Sequence, residues 1–258
     1  MKKERLTVIK VGGKIVENAA SLKKLLTDFS QIDGLKLLVH GGGRSATALA
    51  TRMGIETEMI NGRRVTDLEM LQVVTMVYGG LVNKNIVAGL QALGIDALGL
   101  TGADLNAIRS VKRPSEPVDY GFVGDVKEVN ADMLGSLLSM QIVPVMAPLT
   151  HDGEGNMLNT NADTIAGETA KALADRFDVT LVYCFEKKGV LASEHDDNSV
   201  IRSITPQDFP ALLEQEVVKG GMIPKLENAF EAIRAGVKEV IITQANDLTG
   251  KEGTRIHD

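Results

Sequence analysis

The sequence lacks the features that mark several common classes of nucleotide-, nucleic-acid- and membrane-binding protein. No Walker-type G-x-x-x-x-G-K-[ST] segment occurs among its 258 residues, so a P-loop nucleotide site is excluded. The net charge of −6 argues against a nucleic-acid or anionic-membrane partner. Tryptophan is absent, and with three Tyr and six Phe the core must rest on aliphatic side chains and methionine.

Cysteine and targeting signals are also scarce. The one cysteine, Cys184, cannot form an internal disulfide and lies in the apolar run 179–185, so we expect a buried, inert strand residue, with a catalytic thiol as the alternative. The charged start, Met1 to Arg5, has no signal-peptide core. No apolar run approaches the ~18 residues of a membrane span, so a cytoplasmic location is expected.

The first part of the chain predicts parallel strands. Leu6 to Val11 and Leu35 to Val39 are short apolar runs, which end at Gly12-Gly13 and at Gly41-Gly42-Gly43, and helical patterns follow both. This β-α-β-α order predicts an α/β fold with right-handed crossovers. Ligands bind at the carboxyl ends of such strands, where both glycine turns lie. If the strands are neighbours, the turns lie side by side.

Several further elements follow from the pattern. Ser21 is predicted to cap a helix, and Thr205-Pro206 to open another. Residues 111–129 indicate a hairpin. A helical region from Thr66 to Leu93, broken near Gly79-Gly80, is apolar on nearly every face. Such a helix must be covered on both sides, either within one subunit or by a second copy in a dimer.

Two features of the first strands favour an anion site. Lys10 lies inside a buried strand, where an ammonium is costly unless it meets a partner. It either extends from the strand end into solvent or holds an anionic ligand. The three glycines of residues 41–43 precede a helix, whose N-terminus attracts phosphate or carboxylate. We expect His40 to be a satisfied strand-end residue and not a base.

Two polar segments add candidate ligand contacts. Arg63 and Arg64 precede a helix, and one of them can clamp a carboxylate with its planar fork; we assign this role to Arg64 and a solvated position to Arg63. Asn159, Asn161 and Asp163 alternate, so they share a face of an extended segment or else cap the next helix. Asp163 would compensate the charge of two lysines if they converge.

These segments together resemble the amino acid kinase family and, within it, the members that phosphorylate an N-acyl-L-glutamate. The likeness extends over nearly the full length in the same order. The arginine segment and the Asn-x-Asn-Ala-Asp segment are the most specific parts of it. The matching segments are Ile9-Lys10-Val11-Gly12-Gly13, His40-Gly41-Gly42-Gly43, Asn61-Gly62-Arg63-Arg64-Val65-Thr66, Asn159-Thr160-Asn161-Ala162-Asp163 and Gly221-Met222-Ile223-Pro224-Lys225.

The resemblance implies a three-layer αβα sandwich with a central, mostly parallel sheet. Residues 1–176 would bind the acylglutamate and form a homodimer, and residues 177–258 would bind ATP. Mg²⁺ would be held mainly by the nucleotide phosphates, with no metal ligand set in the protein. The γ-carboxylate would be phosphorylated as an early step of arginine biosynthesis. The acyl group stays open between acetyl, which is favoured, and a larger acidic acyl such as succinyl.

The resemblance also implies roles for single residues. Lys10 and Lys225 would stabilise the transferred phosphoryl group, and Asp163 would orient both. The substrate-binding residues would be Gly42, Gly43, Arg64, Asn159 and Asn161, and the phosphate- or nucleotide-binding residues Gly12, Gly13, Glu186, Gly189 and Lys219.

One segment departs from the family pattern. Where the family usually shows a Ser/Asp pair, this chain has Phe185-Glu186-Lys187-Lys188-Gly189, so a hydroxyl is lost and charge is gained.

The alternative functions are those of another family member, such as a glutamate or aspartate kinase, and of a non-catalytic small-molecule sensor. Because only Met1 to Arg5 precede the first strand, and arginine-inhibited members carry an extra N-terminal helix, we expect a homodimer insensitive to arginine.

Overall fold

The computed structural model describes residues 3–193, 195–220 and 222–258. The strands are β1 (Arg5–Val11), β2 (Leu35–His40), β3 (Met59–Ile60), β4 (Arg63–Arg64), β5 (Ala97–Leu100), β6 (Ile108–Lys112), β7 (Gly124–Val129), β8 (Val143–Met146), β9 (Leu149–His151), β10 (Met157–Asn159), β11 (Asp178–Phe185), β12 (Ser203–Ile204), β13 (Glu239–Gln244) and β14 (Thr254–Ile256). The helices are α1 (Gly13–Glu17), α2 (Ala19–Ser30), α3 (Gly43–Arg52), α4 (Leu68–Val74), α5 (Asn83–Gln91), α6 (Ala131–Ser139), α7 (Ala162–Leu173), α8 (Phe209–Glu214) and α9 (Met222–Arg234).

An eight-stranded sheet forms the centre, in the order β12-β14-β13-β11-β1-β2-β8-β5. Neighbouring strands are parallel except β13 and β14. β1 lies between β2 and β11, and Val11 is in register with His40 on one side and Cys184 on the other. The carboxyl ends of three adjacent strands therefore meet at one edge. A four-stranded sheet, β10-β9-β6-β7, and the pair β3-β4 lie beside it.

Two hydrophobic clusters cover the faces of the central sheet. Leu6 and Val8 of β1 point into the cluster formed with α6, α7 and α9, while Ile9 and Val11 point into the cluster formed with α2 to α5. Alternate strand residues face opposite sides, so β1 is buried on both faces after the exposed Arg5, and its residues from Leu6 onward are apolar except Thr7 and Lys10. The predicted three-layer α/β sandwich is confirmed.

The helical region predicted to break near Gly79-Gly80 is continuous. A π-helical stretch, Thr75–Val82, joins α4 to α5, so the two glycines widen the helix and do not end it. Val77 and Tyr78 of this stretch are buried, and such tertiary contacts supply most of the stability of a helix in a protein. The expectation that no apolar run approaches the length of a membrane span is wrong: by length and composition Leu68–Gln91 is apolar enough to cross a membrane, as many core helices are, and 44% of its apolar window is buried in the chain.

The structure corrects two predicted helix starts. Ser21 does not cap α2; Asn18 does, because its side chain accepts a hydrogen bond from the Ser21 N–H at 2.9 Å. Thr205 does not open a helix either. Its N–H and hydroxyl both donate to Asp208 at 2.8 Å, which closes a turn, and α8 begins after that turn. The hairpin predicted over 111–129 is present as β6 and β7, which pair antiparallel.

Candidate active site

The two glycine turns lie side by side, as predicted, because β1 and β2 are adjacent. The Gly41 N–H donates to the Val11 carbonyl at 2.9 Å. A Cβ on Gly13 would lie 3.4 Å from the Gly42 nitrogen and 3.5 Å from the Gly43 nitrogen. A side chain at Gly13 would therefore cover the backbone N–H groups of Gly42 and Gly43. α3 begins at Gly43. In its first turn the Glu17 side chain accepts a hydrogen bond from the Ser45 N–H at 2.8 Å, whereas no side chain among the described residues accepts from the Gly43 or Arg44 N–H, so these two groups can meet an anion.

An ion pair between a buried lysine and a partly exposed aspartate lies beside these turns. Lys10 Nζ contacts Asp163 Oδ1 at 2.8 Å, with 10% and 25% of the two side chains exposed. Asp163 is in the first turn of α7, which the Asn161 side chain caps by accepting from the Asp163 and Thr164 N–H groups. The structure thus brings together two of the three residues predicted to converge.

Lys225, the third, enters from α9. Its ammonium lies over the Phe185 ring, 3.6 Å from the centroid. Burial lowers the pKa of Lys225, while Asp163 raises it and Lys10 lowers it, so Lys225 interacts electrostatically with both members of the ion pair. Gly221, which precedes this helix in the matched segment, lies outside the described residues.

A first cleft, here called the arginine cleft, opens on one side of the ion pair and has about 190 Å³ of free volume. Arg64 is buried, and its Nη2 donates to the Gly43 carbonyl and to Thr47 Oγ1, each at 2.8 Å. Asn159 is also buried and donates to Thr66 Oγ1 at 3.0 Å. The residues that line it are Gly41, Gly42, Gly43, Met59, Gly62, Arg63, Arg64, Tyr78, Val123, Pro148, Asn159, Thr160, Asn161 and Ala162.

The arginine cleft is also lined by Arg63 and Tyr78. Arg63 was assigned a solvated position; it is half-buried and lines the cleft beside Arg64, and burial, chiefly, lowers its pKa. Tyr78 was not predicted. Its ring atom Cδ1 lies 2.9 Å from where a Cβ on Gly42 would be, so the ring itself requires glycine there. The sequence signal for Tyr78 is a single tyrosine within an otherwise aliphatic helical region.

A second cleft, here called the lysine cleft, opens on the other side and has about 430 Å³ of free volume. It leads into a further recess of about 650 Å³ lined by Val190 to Ser193 and by Glu216 to Gly220 apart from Val218. The predicted residues Gly12, Gly13 and Glu186 line the cleft, Lys219 lines the recess, and Gly189 lines both. The lining residues are Gly12, Gly13, Lys14, Ile15, Arg44, Cys184, Phe185, Glu186, Lys187, Gly189, Met222, Lys225 and Ile242.

Charged side chains in the lysine cleft and in its recess form ion pairs with one another. Glu186 contacts Lys14, and Lys219 contacts Glu216 at 3.2 Å. Gly189 has a packing reason to be glycine, since a Cβ there would lie 2.6 Å from Thr254 Oγ1. Arg44, exposed at the start of α3, was not predicted; it follows the glycine turn directly, which was its signal.

Cys184 and His40, both expected from the sequence to be chemically inert, are buried in the structure. Cys184 is buried, and burial raises the pKa of its thiol to about 12, so it stays protonated near neutral pH. His40 is fully buried and hydrogen-bonded to Asn83 at 3.1 Å and to the Gly41 carbonyl at 2.8 Å. Burial lowers the pKa of His40 to about 4. It is the satisfied strand-end residue that was expected.

The fold and the site together define a three-layer α/β enzyme with a lysine–aspartate pair and two clefts at the carboxyl edge of its sheet. The chain belongs to the amino acid kinase family, whose model matches residues 5–244. It is 69% identical over 254 residues to a protein named acetylglutamate kinase from Phocaeicola vulgatus, covering 98% of this chain and 99% of that one. A protein of the same name from Methanopyrus kandleri is 44% identical, with 96% and 99% covered.

Solved structures agree with this family fold. A Streptococcus mutans protein superposes with a TM-score of 0.81 at 30% identity, covering 98% of both chains. Carbamate kinase from Giardia lamblia bound to AMP-PNP superposes with a TM-score of 0.73 at 15% identity, covering 99% of both chains. At that identity the second likeness speaks for the fold alone.

Proposed function

We propose that this chain transfers the γ-phosphoryl group of ATP to the γ-carboxylate of an N-acyl-L-glutamate, giving ADP and an acyl phosphate. The observation that carries the proposal is the Lys10–Asp163 ion pair between two clefts in a chain 69% identical to a named acetylglutamate kinase. The relatives' name supports acetyl as the acyl group, and the product is typical of an early step in arginine biosynthesis.

The reaction needs no general base from the protein. A glutamate γ-carboxyl has a reference pKa near 4.3, so it is ionised at neutral pH and can attack directly. Catalysis then consists of alignment and compensation of charge on the phosphoryl oxygens. Lys10 and Lys225 supply two positive charges, Asp163 holds Lys10 in place, and Gly13 and Gly43 supply backbone N–H groups.

The arginine cleft suits an acylated amino acid. Arg64 has five N–H donors, and the hydrogen bonds of its Nη2 fix the guanidinium without using all of them, which leaves donors for a substrate carboxylate. Gly42, Asn159 and Asn161 complete this side. No Asp or Glu is among the described residues that line the cleft, so the ammonium of a free amino acid would lack a partner there. This supports an acylated amine over glutamate or aspartate.

The lysine cleft and its recess suit the nucleotide, with Gly12, Glu186, Gly189 and Lys219 among the contacts. Within residues 3–193, 195–220 and 222–258 no group of three or more His, Cys, Asp or Glu side chains converges on a metal position. Mg²⁺ would thus be carried by the phosphates, beside the carboxylate of Asp163, and would neutralise phosphate charge there. We propose that residues 1–176 bind the acylglutamate and that residues 177–258 bind the nucleotide.

We also propose a homodimer through the helical region Leu68–Gln91. Leu68, Met76 and Leu81 of this region are exposed by 58%, 50% and 59%. Leu81→Glu should convert a dimer to a monomer in sedimentation, whereas Met140→Glu, at an exposed residue elsewhere, should leave it intact. A monomeric wild-type protein would contradict the proposal. Arginine should change neither assembly nor activity.

A coupled ADP-release assay tests the reaction. The amino acids compared are glutamate, N-acetylglutamate, N-succinylglutamate and aspartate. We expect turnover with an N-acylglutamate and little with either free amino acid. Equal or better turnover of glutamate or aspartate would contradict the proposal, and the ratio between the two acylated substrates identifies the acyl group.

A further inference from the structure

Phe185, the last residue of β11, has two ammonium groups near its ring. Lys225 Nζ lies 3.6 Å from the ring centroid, and Lys10 Nζ lies 5.1 Å from it. Both distances fall within the ~6 Å over which a cation is attracted to the face of an aromatic ring. One ring therefore contacts the two lysines that enter the site from different elements, β1 and α9.

A second aromatic ring fixes the position of the first. Tyr183, two residues earlier and on the same face of β11, stacks on Phe185 with centroids 6.0 Å apart and planes inclined by 20°. Tyr183 is buried, and its hydroxyl donates to the backbone carbonyl of Asp163 at 3.2 Å. The Phe185 ring is thus supported by a side chain tied to the turn that carries the catalytic carboxylate.

The charges of the site explain why a ring is useful there. The Asp163 carboxylate acts electrostatically on both ammonium groups, and its close contact is with Lys10 at 2.8 Å. Burial disfavours the charged form of Lys225, and Lys10 adds repulsion that Asp163 offsets. Lys10 pairs with Asp163, whereas among the described residues the close contact of the Lys225 ammonium is the face of the Phe185 ring.

We propose that Phe185 is a positioning residue, whose ring holds the Lys225 ammonium beside Lys10 at the edge of the sheet where the phosphoryl group is transferred. This inference rests on the proposed function, because it takes the two lysines to act on that group. The ring keeps Lys225 charged and aimed into the lysine cleft while no phosphate is present. The phosphate oxygens then meet a lysine that is already in place, so less reorganisation accompanies the reaction.

Two substitutions separate this role from simple packing. Phe185 is half-buried against the hydrophobic core, so Phe185→Leu keeps an apolar side chain but removes the ring, whereas Phe185→Tyr keeps the ring. We expect Phe185→Leu to lower kcat about tenfold, with the KM for the N-acylglutamate unchanged and with unfolding temperature near wild type. Phe185→Tyr should stay within about twofold of wild type.

A readout independent of turnover is the pKa of Lys225, followed by NMR of its Cε carbon without nucleotide. In Phe185→Leu this pKa should fall below the wild-type value, and in Phe185→Tyr it should not. Wild-type kcat and an unchanged Lys225 pKa in Phe185→Leu would overturn the proposal. So would equal losses of activity in the Leu and Tyr variants, because packing and not the ring face would then be responsible.

The variant Lys225→Ala tells the failure of this inference from the failure of the proposed function. If Lys225→Ala loses turnover and Phe185→Leu does not, only the positioning role is wrong. If Lys225→Ala keeps normal turnover, the assignment of the lysine itself fails. The double variant should be no slower than Lys225→Ala alone, because the ring acts through that lysine; additive losses would overturn the positioning role.

Discussion

The arginine cleft is lined by Asn161 and Ala162, next to Asp163 in the chain, and the lysine cleft by Gly12 and Lys225, yet the two are built differently. In the arginine cleft the ligand-facing polar groups are buried and already hydrogen-bonded, with Arg64 8% and Asn159 7% exposed. In the lysine cleft the ion pair is exposed, since the side chains of Lys14 and Glu186 are 43% and 58% exposed. One cleft is prearranged, and the other presents movable charges.

This difference predicts how substitutions will act. A buried, preorganised guanidinium contributes the same contacts in the ground and transition states, so its loss should appear in the KM of one substrate. Exposed pairs are screened by water and contribute about 0–1 kcal/mol each, so single losses there should be small. Lys10, Asp163 and Lys225, here called the junction, should change kcat instead, because the transferring group passes between the clefts.

The largest expected effect is at that junction. Lys10→Ala or Lys225→Ala should lower kcat by roughly 10²–10³, which is the typical cost of ~2.7–4 kcal/mol for a lost transition-state interaction, while the KM for the N-acylglutamate changes little. ADP release at saturating substrates measures this. Lys24→Ala is the control, since that lysine is exposed, pairs with Asp28 on α2 and lines neither cleft. Near-normal turnover in either junction variant would contradict the assigned role.

The same contrast separates what the sequence predicts from what it does not. The junction is predictable because local signals define it: an apolar strand that ends in glycines places Lys10 and the Gly41-Gly42-Gly43 turn at one edge of a parallel sheet. Tyr78 and the half-buried Arg63 are not predictable, since distant chain segments bury them. The starts of α2 and α8 are not predictable either, because several neighbouring polar side chains can close each turn, and the structure shows that Asn18 and Asp208 do so.

His40, beneath the glycine turn, gives the next effect, this time on stability. Burial lowers its pKa from 6.5 to about 4, with a smaller lowering from Lys84 that the hydrogen bond to the Gly41 carbonyl opposes. Between those pH values the unfolded chain binds a proton at this residue and the folded chain does not. Stability is therefore lost as pH falls from 6.5 towards 4, by about 3 kcal/mol for this group.

Urea unfolding of wild type and His40→Gln at pH 7 and pH 4.5 measures this loss. The wild type should lose more stability than His40→Gln over that range, because carboxylates contribute equally to both. His195→Gln, at an exposed histidine, should behave as wild type. Identical pH dependence in wild type and His40→Gln would show that His40 titrates normally.

Two arginines test the contrast between the clefts directly. Arg64→Ala should raise the KM for the N-acylglutamate about tenfold or more and leave the KM for ATP near wild type, because its fork is fixed in the arginine cleft. Arg44→Ala, at an exposed residue lining the lysine cleft, should raise the KM for ATP by only a few fold. Initial-rate kinetics with each substrate varied in turn measures both KM values in each variant. A raised KM for ATP alone in Arg64→Ala would show that Arg64 serves the nucleotide and not the N-acylglutamate.

The smallest expected effect is at Glu186, which contacts Lys14 beside the first glycine turn. The two side chains are 58% and 43% exposed, so Glu186→Gln removes an ion pair of roughly 0.2–1 kcal/mol while keeping the size of the residue. The KM for ATP should rise by roughly 1.5–5-fold at low salt, because Lys14 is no longer held at the cleft mouth, and kcat should not change. Raising the salt to about 0.5 M should abolish the difference, since screening weakens exposed pairs. A lower KM for ATP would instead show that the carboxylate repels the phosphates, and the exposed charges of this cleft would then act against binding.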